Sequence, residues 1–141
     1  MTCDRSKYCG CLYYSANALA RIMTKMAEEE FAVTGLAPSY AFLLMTVNAR
    51  EGIQPKEISG IMQLTPSTVT RLIEKMEHRG LLTRQTSGKN TEVYPTELSR
   101  ELDEKIKTAW MGLFQRYSAL LGEESGKQLT EQINNAITKL E

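Results

Sequence analysis

Two groups of side chains in this 141-residue sequence have the types and spacing to do chemistry. The first is Ser67, Thr68, Thr70 and Arg71, followed by Lys75, Arg84 and Lys89. Small hydroxyls can approach base edges, and an arginine fork matches the O6 and N7 acceptors of guanine. Cationic side chains beyond them suit phosphate oxygens or a narrow minor groove. The second group is Cys3, Cys9 and Cys11, the only cysteines of the chain, clustered near its start. An odd, clustered set of thiols points to reactivity or soft-metal binding before a disulfide framework. A catalytic triad or a histidine-rich metal site would have to be built around His78, the single histidine.

Charge sharpens the first group. The chain has 17 basic and 17 acidic residues, a formal net charge of zero, which excludes a wholly cationic nucleic-acid binder. Residues 65–90 nevertheless hold five basic side chains (Arg71, Lys75, Arg79, Arg84, Lys89) against Glu74 and Glu77. A local basic excess with acid elsewhere fits a surface built to meet phosphate on one side only. Composition is that of a globular chain, with 42% hydrophobic and 24% charged residues. No run of about 18 apolar residues is present, and the first residues lack the apolar core of a secretory signal, so neither a membrane span nor export is expected.

Helical periodicity supplies the elements that must position these groups. Leu12, Ala16, Leu19, Ile22, Met23 and Met26 recur at three- and four-residue steps and predict a first helix from Cys11 to Phe31. Pro38 suits the first turn of a second helix, and Pro55 starts a short third one carrying Ile58, Ile61 and Met62. Thr65 and Pro66 are an N-cap and an N1 proline, and Gly80 ends the fourth helix they begin. Val69, Leu72, Ile73 and Met76 form its buried stripe, so Ser67, Thr70, Arg71, Glu74 and His78 face outward. Leu81–Gln85 and Thr91–Tyr94 read as strands around a turn-rich tip, Thr86–Asn90. Thr96 then caps a long helix toward Leu121, and a last helix after Gly122 carries Leu129, Ile133, Ile137 and Leu140. A short helix, a capped second helix and a basic hairpin together describe a winged helix-turn-helix.

The run Leu64-Thr65-Pro66-Ser67-Thr68-Val69-Thr70-Arg71-Leu72-Ile73-Glu74-Lys75-Met76-Glu77-His78-Arg79-Gly80-Leu81-Leu82 closely resembles the recognition-helix segment of the MarR family of bacterial transcriptional regulators. Val93-Tyr94-Pro95-Thr96-Glu97-Leu98 resembles the family's second wing strand and the start of its long dimer helix, and Leu36-Ala37-Pro38-Ser39-Tyr40 its second-helix start. The resemblance implies a mainly α fold of about six helices plus a two-stranded β-wing, one domain over residues 1–141. Within it, residues 38–96 would form the DNA-binding unit, and residues 1–34 and 97–141 the dimerisation helices. It implies a homodimer on a pseudo-palindromic duplex, a cytoplasmic repressor released by a small molecule or an oxidant, and neither an enzyme nor a cofactor protein. Ser67, Thr68, Thr70 and Arg71 would read bases, and Lys75, Arg84 and Lys89 would hold the backbone or fill the minor groove. Many family members carry Asp-x-Arg at the wing tip, where this chain has Ser87 and Lys89. Lysine lacks arginine's planar fork, so its contribution is expected to go mainly to phosphate. Ala37 stands where a hydroxyl residue would cap the second helix, at an expected cost of about 1 kcal/mol.

Cys9-Gly10-Cys11-Leu12-Tyr13 resembles the organic-hydroperoxide-sensing branch of that family, which implies Cys9 as the reactive thiol, Tyr13 as its partner and Cys11 or Cys3 as a resolving thiol. Three thiolates for a soft metal, or an N-terminus with no sensing role, are the alternatives. Rival functions are a thiol enzyme using Cys9 and Cys11, and a protein-interaction module that keeps the fold without DNA. Trp110, Phe114 and Tyr117 read as packing of the long helix, the methionines as core filling, and Glu28-Glu29-Glu30 as a solvated face.

Overall fold

The computed structural model describes residues 6–141. Its elements are α1 (Leu12–Phe31), a 3-10 turn (Ala32–Thr34), α2 (Pro38–Ala49), α3 (Pro55–Met62), α4 (Pro66–His78), β1 (Leu82–Ser87), β2 (Asn90–Pro95), α5 (Glu97–Leu121) and α6 (Glu123–Leu140). This is a six-helix chain with a two-stranded antiparallel wing, the architecture expected from the sequence.

Proline punctuation explains three of the helix starts. Pro38, Pro55 and Pro66 each open a helix, where the missing N–H costs nothing and φ is already helical. Caps add to this at α3, α4 and α5. The Gln54 N–H donates to Glu57 Oε1 across 3.4 Å. Thr65 Oγ1 accepts from Thr68 N–H at 3.4 Å and Thr96 Oγ1 from Ser99 N–H at 3.3 Å. Ala37 gives α2 no side-chain cap, as its residue type requires.

The end of α4 aims the wing. Gly80 takes φ +75°, its N–H donates to Glu77 O at 2.9 Å, and Leu81 N–H donates to Met76 O at 2.8 Å. These two bonds make a Schellman turn, whose left-handed residue favours glycine. Met76 and Leu81 are both buried beneath it, so the chain enters β1 already anchored. Register then runs from Leu82 opposite Pro95 to Ser87 opposite Asn90, and the hairpin closes through Gly88 and Lys89. The strands therefore extend to Ser87 and Asn90, and the tip is two residues rather than the five expected. Gly88 at φ +61° in the first central position permits this tight turn.

The core sits where α2, α3, α4 and the wing base meet. Leu43, Leu44, Val47, Ile53, Ile58, Val69, Ile73, Met76, Leu82 and Val93 are all buried there. Phe31 and Ile106 extend it to α1 and α5. Ile53 pairs with Val93 as an isolated bridge, adding a third partner to the wing that no local residue pattern marks. Asn48 Nδ2, half-buried on α2, donates to Leu44 O at 2.9 Å and to Ser99 Oγ at 3.0 Å, tying α2 to the start of α5.

Terminal helices are packed differently. In α1 only Met26, Ala27 and Phe31 are buried, and in α6 only Gly126. Glu28 and Glu29 are exposed, as expected of a solvated face, and Glu30 is half-buried. Arg116 of α5 donates to Glu29 Oε1 at 2.9 Å and to Glu30 Oε2 at 3.2 Å, bracing α1 against α5. The hydrogen bond to Glu29 does most to hold the Arg116 guanidinium above its ordinary pKa; desolvation comes next and opposes it, and attraction to Glu29 with the hydrogen bond and attraction to Glu30 keep the net direction upward. Trp110 lies edge-on to Phe42 with centroids 6.1 Å apart, and Phe114 packs on Tyr117 at 5.6 Å, in line with a packing role. Among the described residues no single helix is long and apolar enough to cross a membrane.

Candidate nucleic-acid interface

The turn between α3 and α4 sets the geometry of the site. Gln63 closes α3 in the left-handed region at φ +55°, the single non-glycine with positive φ among the described residues. Leu64 N–H donates to Ser59 O at 3.2 Å, and the Ser59 hydroxyl donates to Leu64 O. This compact reversal lets α4 cross α3 with its N-terminal turn projecting from the surface.

On α4 the apolar stripe Val69, Ile73 and Met76 is buried, so the opposite side stands free. Ser67, Thr70, Arg71, Glu74, Lys75, His78 and Arg79 are all exposed on that side. The hydroxyls are already organised. Thr65 Oγ1 lies 2.9 Å from Thr68 Oγ1 and 3.3 Å from Ser67 Oγ. Thr70 Oγ1 donates to Pro66 O at 3.0 Å, which turns its remaining lone pairs and methyl outward. Arg71 Nη2 donates to Thr68 Oγ1 at 3.4 Å, a long contact that holds the guanidinium over the first turn. Thr68 itself is half-buried and serves the cap, so it positions Arg71 more than it presents its own hydroxyl.

The wing contributes unevenly. Lys89 is exposed at the tip. Arg84 pairs with Val93 across the strands and so shares the inward face with Leu82 and Pro95. Its Nη2 reaches Glu77 Oε1 of α4 at 2.8 Å. Strand alternation from buried Leu82 is the signal that places Arg84 on this face, and Glu77 is the functional neighbour that residue typing missed. Of the residues singled out from sequence, Ser67, Thr70, Arg71 and Lys75 therefore lie together on α4, Lys89 extends from the wing, and Arg84 sits between the two.

The cysteines lie elsewhere. Cys9 is disulfide-bonded and is not a thiol in this structure, which departs from its expected role as the reactive thiolate. Cys11 is free and exposed at the N-cap of α1, and Cys3 lies outside the described residues. Tyr13 is 79% exposed in the first turn of α1, while Ser15 Oγ donates to Cys9 O at 3.0 Å. Among the described residues no group of three or more His, Cys, Asp or Glu side chains is placed to hold a metal ion.

A compact three-helix unit, a free recognition-type helix and an adjoining hairpin define a winged helix-turn-helix protein. Residues 36–91, from the loop before α2 into the wing, match the model of the MarR family. The HTH-type transcriptional repressor MdtR of Bacillus subtilis (strain 168) is 27% identical over 113 residues, spanning 78% of this chain and 73% of that protein. Among solved structures, the transcriptional repressor CouR bound to a 23-mer DNA duplex superposes with a TM-score of 0.84 at 17% identity, over 97% of this chain and 99% of that one. The S. aureus MepR–DNA complex gives a TM-score of 0.80 at 18% identity, over 92% and 98% of the two chains. At these identities the likeness establishes the fold.

Proposed function

We propose that this chain is a cytoplasmic, homodimeric, sequence-specific DNA-binding transcriptional regulator that represses its target and is released by a small molecule. The carrying observation is the free N-terminal face of α4, with Ser67, Thr70 and Arg71 exposed together beside a wing tipped by Lys89. In this reading Arg71 forks onto a base edge, Ser67 and Thr70 approach neighbouring edges, and Lys75 and Lys89 meet phosphates. Two relatives of the same fold, CouR and MepR, are described in complex with DNA, which supports the same use of the fold here.

The terminal helices support the dimer in this reading. Leu12, Leu19 and Met23 of α1 and Leu129 and Ile133 of α6 line an apolar groove with little polar surface. Leu12, Tyr13, Ile22, Leu120, Ile133 and Leu140 are exposed around it. A second copy covering this face would bury it and set two α4 helices at a fixed spacing, as a two-fold operator requires. For the effector, an open groove of about 430 Å³ between α1, α2 and α5 is lined by Met23, Ala27, Pro38, Phe42 and Leu113, with Thr24, Glu28 and Ser39 as polar groups. It has the size and lining of a small-molecule site. A second reading of the effector rests on the disulfide at Cys9 beside free, exposed Cys11, which opens the start of α1 to thiol–disulfide exchange: reductants act on the Cys9 disulfide and oxidants on the Cys11 thiol.

Fluorescence anisotropy on duplex DNA from upstream of the chain's own gene, with random duplex as competitor, tests the reading. Specific binding that survives competitor supports it, and equal affinity for both duplexes contradicts it. Repeating the titration with thiol reductant, then with an organic hydroperoxide, separates the two effectors. A redox effector predicts a change in affinity that Cys9→Ser abolishes, and a small-molecule effector predicts none.

A further inference from the structure

From the placement of Arg84 we infer that it is a positioning residue. With Glu77 it clamps the wing to the recognition helix and does not itself contact DNA. The inference rests on the DNA-binding reading above and concerns how that surface is held. Arg84 Nη2 stands 2.8 Å from Glu77 Oε1, with the two side chains 34% and 29% exposed. The pair is thus partly withdrawn from water, and the cation's directed donors are turned toward α4. Register explains the direction. Arg84 lies opposite buried Val93, on the face that Leu82 and Pro95 turn into the core.

The rest of the wing's anchorage lies at its base. Gly52 N–H donates to Val93 O at 2.8 Å and Val93 N–H to Ile53 O at 2.9 Å. Thr96 Oγ1 donates to Gly80 O at 2.7 Å, joining the end of α4 to the start of α5. Beyond Arg84 the pairs Gln85–Glu92, Thr86–Thr91 and Ser87–Asn90 bond across the hairpin, and no side chain of these six is buried. Lys89 sits in the turn past Ser87, level with Gly88 and so about 13 Å beyond Arg84, and a swing of about 10° at the clamp moves the tip by about 2 Å. That distance separates a lysine in contact with a phosphate from one that is not. An ion pair of ordinary strength at the pivot therefore governs the reach of a cation that it never touches.

Hydrogen exchange of the DNA-free protein and salt-dependent DNA titration test the clamp together. Arg84→Ala and Glu77→Gln are each expected to speed exchange of the amides from Gln85 to Glu92, leaving α2 and α3 protected as in the unaltered chain. Both should weaken operator binding by about twofold to fivefold, the scale of a partly exposed ion pair. The slope of affinity against salt should fall to the same extent in Arg84→Ala and Glu77→Gln, because either change lets Lys89 swing off its phosphate while Arg84 itself holds none. Exchanging the charges, Glu77→Arg with Arg84→Glu, should restore wing protection and most of the operator affinity. A slope reduced by about one charge per protomer in Arg84→Ala but unchanged in Glu77→Gln would make Arg84 a phosphate ligand and overturn the inference. Unchanged wing exchange in both variants would overturn it as well. If the unaltered protein binds no duplex specifically, the DNA-binding reading fails, and the exchange data still decide whether the clamp exists.

Discussion

The two halves of this molecule handle apolar surface in opposite ways. In the unit from α2 to the wing, Leu43, Leu44, Val47, Ile58 and Val69 are fully buried, and the exposed side of α4 is left to hydroxyls and cations. In α1 and α6 the long helices leave Leu12, Ile22, Ile133 and Leu140 from 43% to 77% exposed. The first region is closed by its own chain, and the second is unfinished until something covers it. The proposed DNA-reading and assembly surfaces thus lie on separate parts of the fold, with α5 joining them and Arg116 bracing α1 to it through Glu29 and Glu30.

Substitutions in each region should report that difference. Leu44→Ala, in the closed unit, should destabilise the protein by about 2–5 kcal/mol, read by denaturant unfolding, because α2 is packed on all sides and cannot collapse into the cavity. Ile133→Asp, in the unfinished region, should weaken self-association by about 2 kcal/mol or more while leaving the helical content of the monomer intact. Sedimentation velocity with circular dichroism checks it, and loss of fold rather than of association would blur the two regions into one. Thr65→Ala removes the cap of α4 and should cost about 1 kcal/mol in thermal or chemical unfolding. Gln63→Gly has the smallest expected effect and the opposite sign. Relieving left-handed backbone should offset glycine's entropy cost and stabilise the fold by up to about 1 kcal/mol.

Much of this fold is legible in the sequence because its boundaries are written in residues with a single strong preference. Thr65-Pro66 and Gly80 bracket α4, and Pro55 and Thr96 open α3 and α5 where the structure has them. Information that depends on two distant residues is harder to read. The pairing of Ile53 with Val93 carries no local pattern, and a glutamine in the left-handed turn after α3 contradicts local preference. Glu29 and Glu30 look solvated until Arg116 of another helix is brought beside them. The same limit governs the site. Which α4 side chains face outward follows from a 3.6-residue period, whereas the pairing of Arg84 with Glu77 needs the wing folded back on the helix. At the N-terminus, residue spacing marked Cys9 and Cys11 but could not tell which is bonded.

The most direct measurement is the specificity ratio of Arg71→Ala, the affinity for the operator duplex divided by that for random duplex, taken at one fixed salt concentration. The account predicts a fall in operator binding of about 1–3 kcal/mol with little change on random DNA, so the ratio collapses. Equal losses on both duplexes would show that Arg71 holds backbone rather than bases, and would contradict the assignment of α4 as the reading helix.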